Sequence, residues 1–371
     1  MKIFQTIHKY PPHIPEFEKK NGITDATNIT FEELRKLIVE DGYASCYILQ
    51  PALEHKTDEV FYTIWDYERL QYLWAKENGV ASRDLSEIKL AQLEKFKPDV
   101  FYNLSPFRDH NLIELIKIRG IKCKTICWNS LIVDRPMTFP LYDVHLTLHE
   151  PYLDYWKKLG LKSFELQPAI PDFWDFENQN RAVDVLFYGQ YFESMFSQRN
   201  RLIEKLVSYK NETSFKMDIH LQYKIKKHVQ VKFLKYKKTV INYPPQSIVN
   251  ATLKPLYGSE LYDKIANSKI VVNAYGDFNN EFKSNMRVFE SIGHGAFLIS
   301  EKGNYPKGLT PDVDFYTYEN FEELTEKIDY VLSNWEAHSK LALKTARKVR
   351  SFFSKEKQWQ RFQEIVASVS Q

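Results

Sequence analysis

The run Glu281–Ser300 holds the densest set of side chains suited to binding a charged ligand. A predicted strand, Ile270–Ala274, leads into a polar loop, and a helix is predicted to begin near Asn285. Lys283 precedes this helix and Arg287 lies in its first turn. The N–H groups and partial positive charge of a helix N-terminus favour a diphosphate, and arginine can bind phosphate through two hydrogen bonds. The spacing therefore predicts a phosphate-binding helix start.

Glu290 lies three residues after Arg287 on the same predicted helix. Its carboxylate could accept hydrogen bonds from both hydroxyls of a ribose, while Gly293 and Gly295 permit a tight passage into the next strand. Residues three apart also pair on ordinary helix surfaces. The sequence leaves two interpretations open, a nucleotide-binding pair or a surface ion pair.

Possible metal ligands are sparse. The three cysteines, Cys46, Cys123 and Cys127, argue against a disulfide framework and for a reducing compartment. No second cysteine pair or neighbouring histidine accompanies Cys123 and Cys127, so buried strand thiols are favoured over zinc. The triplet Asp312–Val313–Asp314 could hold a divalent metal, but it follows a proline and precedes an apolar strand, which favours a turn. We therefore expect neither a metal nor a cofactor.

The run Tyr223–Lys238 mixes seven lysines with aromatic residues. Such mixing suits an anionic membrane or a nucleic acid, and a solvated face explains it equally well. The net charge of the chain is only +3, so nucleic acid is not expected as a partner. A peripheral membrane contact through 223–238 stays open.

The elements that position these residues alternate between strand-like and helix-like, which predicts an α/β fold with parallel sheets. Lys2–Ile7 predicts the first strand, and the prolines of the next segment, His8–Pro15, predict a loop. Thr30 followed by Glu33 predicts a capping box at the start of a helix. Ser45–Leu49 predicts the next strand.

The length of 371 residues suits two domains better than one. The proline-rich, polar segment Pro168–Asn180 is the predicted linker. We expect two Rossmann-like domains facing each other across a cleft, over 1–175 and 181–350, with a C-terminal helix over 351–371 that could cross back to the first. Parallel α/β sheets bind ligands at the carboxyl ends of their strands, which favours a nucleotide-type ligand.

The N-terminus lacks the apolar core of a signal peptide, and no stretch approaches the ~18–20 apolar residues of a membrane span. We expect a cytoplasmic protein, with a peripheral position at the inner membrane face left open.

Ordered matches to one family span most of the chain. They are Lys97–Val100, Tyr142–Val144, Asp184–Gly189 followed by Arg199, Tyr257–Tyr262, Ser268–Asn273, and an N-x-R-x-F-E…G-x-x-L signature over Asn285–Leu298. On these motifs the chain resembles the GT-B glycosyltransferases of the "group 1", family 4-like type, and among them the CgeB-like branch.

The resemblance implies a nucleotide-sugar donor, either a UDP- or a GDP-sugar, bound in the C-terminal domain. The donor-binding residues that it implies are Gly189, Arg199, Tyr257, Gly258, Lys283, Asn285, Arg287 and Glu290. Glu290 would hold the ribose, Arg199 and Lys283 the diphosphate, and the segment around Tyr257 and Gly258 the base. In retaining relatives a second glutamate lies at the position that Phe282 occupies here.

The resemblance further implies metal-independent and retaining transfer to a glycan, lipid-linked or small-molecule acceptor, in polysaccharide biosynthesis. An inverting enzyme would also need a base. The candidates near predicted strand ends are His8, His13, Asp134 and His149. Each of them also has a purely structural interpretation.

Two further functions fit the same sequence. An epimerase acting on a sugar nucleotide would need an acid and a base beside the donor sugar. A non-catalytic protein that binds a nucleotide sugar or a glycan would keep the C-terminal site without usable polar groups in the N-terminal domain.

Overall fold

The structure, a computed structural model, describes residues 1–44, 59–106, 111–129, 142–170, 176–177, 180–192, 196–223, 244–275 and 281–369. It divides into two compact units. Unit 1 holds Met1–Pro171 and Phe353–Gln371, and unit 2 holds Asp172–Phe352. The predicted strand Ser45–Leu49 lies outside the described residues.

Unit 1 is built on a six-stranded sheet whose neighbouring strands are all parallel, in the order β2-β1-β3-β4-β5-β6. The strands are β1 (Lys2–Ile7), β2 (Glu59–Ile64), β3 (Val100–Asn103), β4 (Lys124–Trp128), β5 (Val144–Thr147) and β6 (Ser163–Glu165). The chain first builds outward from β1 to β2 and then returns to build β3 on the other side. The ends of β1 and β3 therefore flank the switch point of this sheet.

Helices cover both faces of this sheet. They are α1 (His13–Lys20), α2 (Phe31–Asp41), α3 (Glu68–Glu77), α4 (Leu85–Phe96), α5 (Leu112–Ile118) and α6 (Glu150–Lys158). The predicted capping box is confirmed, because the Thr30 side chain accepts from the Glu33 backbone N–H and Glu33 accepts from the Thr30 N–H at 2.8 Å. Two unpredicted elements, α3 and β2, complete the first half of the unit.

The prediction of a loop throughout His8–Pro15 is wrong from His13 onward. Helix α1 begins there, with Pro12 at the N-cap position and Pro15 in the first turn. The N–H groups of a first turn have no partner within the helix, so a proline in these positions removes no hydrogen bond.

The final helix, α13 (Lys355–Ser368), packs on the sheet of unit 1. Trp359 and Phe362 are buried in one core with residues of β3, β4 and β5, and the Phe362 ring lies 5.0 Å from that of Tyr102. The Ser354 side chain caps the helix by accepting from the Lys357 N–H. The predicted amphipathic helix is therefore confirmed, and it completes the core of unit 1.

Unit 2 contains a five-stranded parallel sheet in the order β11-β10-β9-β7-β8. The strands are β7 (Val183–Gln190), β8 (Met217–Gln222), β9 (Ser268–Asn273), β10 (Phe297–Glu301) and β11 (Tyr316–Tyr318). Numbered within the unit, this order is 2-1-3-4-5. Its switch point lies between β7 and β9, where doubly wound sheets bind ligands.

The helices of unit 2 are α7 (Ser197–Glu212), α8 (Gln246–Ala251), α9 (Gly258–Ala266), α10 (Met286–Gly293), α11 (Phe321–Ser333) and α12 (Trp335–Phe352). Asn320 caps α11 by accepting from the Glu323 N–H. Helix α12 is not predicted from the sequence. Across the described ranges of both units, none of the helices combines the length and apolar character that crossing a bilayer requires.

Candidate donor site of the second unit

The carboxyl ends of β7 and β9 carry the first components of the site. The last three residues of β7 are Tyr188, Gly189 and Gln190, and β9 ends at Asn273. The two strands are direct neighbours, paired in parallel. Polar groups at these two strand ends therefore lie at the switch point of the sheet.

Asn273 is fully buried and connects the strand end to the helix that follows. Its Oδ1 accepts from Asn285 Nδ2 at 3.0 Å and from Arg287 Nη1 at 3.3 Å, while its Nδ2 donates to Ser300 Oγ at 2.9 Å. The hydroxyl of Tyr318 donates to its backbone oxygen at 3.0 Å. One amide thus fixes the start of α10 relative to three neighbouring strands.

Asn285 confirms the predicted helix start. Its side chain accepts from the Val288 N–H at 3.3 Å, which makes it the N-cap of α10. The hydroxyl of Ser284, one residue earlier, is buried and has no hydrogen-bond partner among the described residues. The Ser284 hydroxyl is therefore a hydrogen-bonding group at this helix start that the described part of the protein leaves unused.

Arg287 is held against the sheet by contacts on several sides. Its Nη1 donates to Ala274 O at 3.1 Å as well as to Asn273, and its guanidinium carbon lies 5.2 Å from the centre of the Tyr188 ring. A Cβ on Gly189 would lie 2.7 Å from Arg287 Nη2, so this close approach requires glycine. Burial lowers the pKa of Arg287, and the nearby tyrosine and glutamate oppose that shift.

Glu290 is 4% exposed, which rules out an ion pair on the surface. Its Oε2 accepts a 3.0 Å hydrogen bond from the Tyr188 hydroxyl. Burial raises the pKa of Glu290, while hydrogen bonds from Tyr188 and Tyr262 and the charge of Arg287 act in the opposite direction. The carboxylate is thus buried among groups that favour its charged form.

Lys283 is buried beside the same helix start. Its Nζ lies 3.1 Å from Glu301 Oε2, at the end of β10, and 5.2 Å from the centre of the Tyr275 ring. The chain passes Lys283 at Gly303, where a Cβ would lie 2.6 Å from Lys283 Cγ. An anionic ligand would compete with Glu301 for this ammonium group.

Three further predicted donor residues lie on the helices next to β7 and β9. Arg199 is in the first turn of α7, with its guanidinium carbon 3.7 Å from the centre of the Phe196 ring. Tyr257 is the N-cap residue of α9, and Gly258 begins that helix with a φ of 52°. Helix α9 also carries Tyr262, so it reaches the Glu290 cluster through its second turn.

The structure therefore brings Gly189, Asn285, Arg287 and Glu290 together at the β7–β9 switch point. Two residues that hold them there, Asn273 and Tyr188, were not predicted from the sequence. Each is the first residue with a polar group after an apolar run, Val185–Phe187 or Ile270–Val272, and that position is the signal by which both could have been found.

The position matched to the second family glutamate is structural in this chain. Phe282 forms a β-bridge with Asn304, whose N–H donates to Glu281 O at 2.6 Å. The Lys283 N–H donates in turn to Asn304 O at 2.7 Å. These bonds hold the segment that leads into α10.

The candidate bases of unit 1 differ in their surroundings. His8 follows β1 at the switch point of its sheet, where its Nδ1 lies 2.5 Å from Ser105 Oγ, and it is partly exposed. His13 is buried, with Nε2 2.9 Å from Asp41 Oδ2. His149 is buried and its burial lowers its pKa to about 4. Asp134 lies outside the described residues.

The structure favours the structural interpretations of the cysteines and of the acidic triplet. Cys127 is buried with its Sγ 3.3 Å from His145 Nδ1, and burial raises the thiol pKa and lowers the histidine pKa to about 4. Asp312 accepts from the Thr317 N–H and Asp314 from the Thr310 N–H, as in a turn. Within the described ranges no group of three possible ligands could hold a metal ion. Of the lysine-rich run, residues 224–238 lie outside them.

Residues 199–364 match the glycosyl transferase-like family. This stretch begins at Arg199 and contains Asn273 and α10 with its cap, whereas Tyr188 and Gly189 precede it. No curated protein sequence matches the chain significantly.

Several solved structures share the fold at low sequence identity. HepE of Anabaena, in complex with UDP-glucose, matches with a TM-score of 0.58 at 10% identity. The match covers 99% of this chain and 100% of the HepE chain. A glycosyltransferase from Rickettsia africae has a TM-score of 0.56 at 13% identity, covering 100% and 98%. TarM of S. aureus has a TM-score of 0.53 at 10% identity, but the matched part is 76% of this chain and only 58% of TarM.

The predicted pair of α/β units with parallel sheets is confirmed, while the CgeB-like branch stays a prediction. The structural matches establish the fold. The chain therefore has the GT-B fold of these structures, and its residues 199–364 are similar to the glycosyl transferase-like family.

Proposed function

We propose that this chain moves a sugar from a nucleoside diphosphate sugar to a hydroxyl group of a glycan, a lipid-linked intermediate or a small molecule. The observation that carries the proposal is the position of Arg287. Its guanidinium is held at the β7–β9 switch point by Asn273 and Ala274, packed against Gly189, beside the N-terminus of α10. Switch points of doubly wound sheets bind nucleotides, and helix starts bind phosphate.

Each part of the donor has a candidate partner in unit 2. Arg287 and the start of α10 would bind the diphosphate. Lys283 would be a second cation there, with its ammonium group shared between the diphosphate and Glu301. Glu290 would accept hydrogen bonds from the ribose. Arg199 would add charge from α7, and the start of α9 at Gly258 would lie along the base.

The reaction breaks the bond between the anomeric carbon and a diphosphate oxygen, and the electron pair leaves with the diphosphate. The acceptor hydroxyl oxygen forms the new bond to that carbon and loses its proton. Fixed cations stabilise the charge that develops on the leaving group, so the proposal needs no metal or other cofactor. We propose retention, with the departing diphosphate accepting the proton.

Inversion would instead require a protein base. Among the histidine candidates in the described part of unit 1, His8 is the partly exposed one, and its ring is fixed by Ser105. His13 and His149 are buried. His8 is therefore the residue to substitute if the product is inverted.

UDP-sugars are the first donors to test, because HepE was crystallised with UDP-glucose and shares the fold; GDP-sugars come second. We further propose a cytoplasmic location, because the cysteines are few and odd in number.

A panel of UDP- and GDP-sugars, monitored by mass spectrometry with and without candidate acceptors, tests the proposal. We expect slow hydrolysis of one donor and faster loss of that donor when an acceptor is present. Formation of an isomeric sugar nucleotide would identify an epimerase, and saturable binding without turnover would identify a binding protein.

The Arg287→Ala variant tests the site itself. Loss of a charged hydrogen-bond donor to phosphate costs about 1.5–3 kcal/mol, so we expect nucleoside diphosphate affinity to fall about 10- to 100-fold. Arg361→Ala, in the exposed face of α13, is the matched control. Equal affinities of the two variants, with folding preserved, would place the donor elsewhere.

A further inference from the structure

Two helix-to-strand turns of unit 1 share one sequence pattern. Helix α5 leads into β4 through Lys117–Lys122, and α6 leads into β6 through Lys157–Lys162. Each turn has a lysine, two residues, a glycine, an aliphatic residue and a second lysine. The glycines, Gly120 and Gly160, have φ values of 66° and 74°, so both turns end their helices in the same way.

The two turns lie side by side at the amino ends of β4 and β6, and this end of the sheet is called its amino edge below. Cys127 of β4 contacts His145 of β5, and the His145 ring lies 5.5 Å from that of Trp156 in α6. Cys127 also shares a core with Ile113 of α5, so both helices cover the same face. Strands β4 and β6 are separated only by β5, which places the turns about 10 Å apart.

This edge exposes large apolar side chains. Ile118 is 78% exposed, and Tyr155 of α6 and Leu159, the C-cap residue of that helix, are each 50% exposed. Ile118 and Leu159 occupy the last turns of the two helices, next to the glycines. The apolar groups thus form a small cluster at the amino ends of β4 and β6.

Lysines surround this cluster. Lys117, Lys122, Lys158 and Lys162 are exposed, and none forms an ion pair with another described residue. Of the acidic side chains on the same two helices near this cluster, Glu114 is exposed and Asp154 lies 3.9 Å from Lys157, so the lysines are in excess here. Lysine is depleted in protein–protein interfaces, whereas lysines around exposed aliphatic groups suit anionic lipid headgroups above an acyl layer.

We propose that this basic and apolar edge docks unit 1 onto an anionic lipid surface. Docking there leaves the opposite edge of the sheet accessible, where His8 and Ser105 lie at the carboxyl ends of β1 and β3. The surface is distinct from the lysine-rich run at 223–238, and the inference does not depend on the identity of the donor.

Flotation of the full-length protein with lipid vesicles tests the proposal. We expect binding to vesicles that contain equal parts of phosphatidylglycerol and phosphatidylcholine, and none to vesicles of phosphatidylcholine alone. Because each lysine near an anionic surface contributes about 1 kcal/mol, Lys122→Glu/Lys162→Glu should weaken binding at least about tenfold. Lys36→Glu/Lys340→Glu makes the same change in net charge at two other exposed lysines and should weaken it far less.

The apolar contribution has its own control. Ile118→Glu/Leu159→Glu should also abolish flotation, whereas Val313→Glu, at a 62% exposed valine of unit 2, should leave it intact. Circular dichroism must show that each variant stays folded. Absence of binding to anionic vesicles, equal binding to neutral ones, or loss of binding only on charge reversal at Lys232 and Lys235 would each overturn the proposal.

Discussion

The phenolic hydroxyl of Tyr188 donates a 3.0 Å hydrogen bond to the Glu290 carboxylate, joining the end of β7 to α10. Both side chains are almost fully buried, at 8% and 4% exposure. The Tyr188 ring lies at the same time beneath the Arg287 guanidinium. One tyrosine thus contacts both Arg287, which is predicted to bind the diphosphate, and Glu290, which is predicted to bind the ribose. Its hydroxyl and its ring can be tested separately.

Tyr188→Phe keeps the ring beside Arg287 and removes the hydroxyl that Glu290 accepts from. The pKa of Glu290, already raised by burial, should rise further. Only the ionised carboxylate can accept hydrogen bonds from both ribose hydroxyls. As the pH is lowered, Tyr188→Phe should therefore lose UDP binding at a higher pH than the wild type does. Calorimetric titration across pH 5 to 8 measures this. Tyr316→Phe, a tyrosine hydrogen-bonded to His338, is the control and should leave the profile unchanged.

Glu290→Gln separates binding from stability. The folded-state pKa of Glu290 is raised, so its ionisation opposes folding, and the stability present at low pH is lost as the pH rises through that pKa. At neutral pH the neutral glutamine should therefore be at least as stable as the wild type in urea unfolding. Its affinity for UDP should nevertheless fall about tenfold or more, since a charged hydrogen bond contributes about 1.5–3 kcal/mol. A large loss of stability at pH 7.5 would contradict this assignment.

Sequence patterns predicted the elements of unit 2 well where local signals were strong. Asn285 and Asn320 are N-caps, and a capping side chain acts within three residues of itself. Apolar runs likewise marked the central strands β7 and β9. Helix α12 was missed because its buried stripe consists mainly of small and polar residues, and its burial depends on α10 and β10. The stripe is His338, Ala342, Thr345, Ala346 and Val349.

The site was predicted in part for the same physical reason. Arg287 and Glu290 share one helix, so spacing alone shows that they are near neighbours. Tyr188 lies 102 residues before Glu290 in the sequence and Asn273 lies 12 residues before Asn285. Only the pairing of β7 with β9 brings both residues to the start of α10. Whether Glu290 faces solvent or the protein interior also depends on tertiary packing. The sequence alone therefore could not exclude a surface ion pair between Glu290 and Arg287.

Gly189→Ala should weaken donor binding by displacing Arg287. The new Cβ would lie 2.7 Å from Arg287 Nη2, closer than such atoms normally approach, so the guanidinium must move. A double-mutant cycle with Arg287→Ala tests the route of the effect. If alanine at position 189 acts through Arg287, it should cause no additional loss of UDP affinity in the Arg287→Ala background. Additive losses would show that Gly189 contacts the donor independently.

Phe362→Ala should destabilise unit 1, although the residue lies nearly 200 positions beyond the rest of that unit in sequence. Its ring is fully buried beside Tyr102, and truncating a buried phenylalanine costs about 3–5 kcal/mol. Hydrogen exchange with mass detection should show faster exchange in β3 and β4, with unit 2 unchanged. Phe352→Ala, at a 42% exposed ring, is the control. Equal exchange in both variants would mean that α13 adds little to the core.

Acid should destabilise the fold through three buried histidines. Burial lowers the pKa of His145 and His149 to about 4 and that of His294 to about 3. A depressed folded-state pKa gives stability that is present above pH 6.5, the ordinary value, and is lost as the pH falls toward 4. Each such histidine can change the free energy of unfolding by up to about 1.4 kcal/mol per pH unit in this window.

Urea unfolding at pH 7 and pH 4.5 measures that loss, and His149→Gln assigns part of it. The variant should show a smaller difference between the two pH values, because one proton fewer is taken up on unfolding. Glu290 acts in the opposite direction over the same range, since its raised pKa favours folding as the pH falls. The difference should therefore be larger in Glu290→Gln than in the wild type. If the free energy of unfolding stays constant from pH 7 to pH 4.5 in both the wild type and Glu290→Gln, these histidines can be protonated without unfolding, and the prediction is wrong.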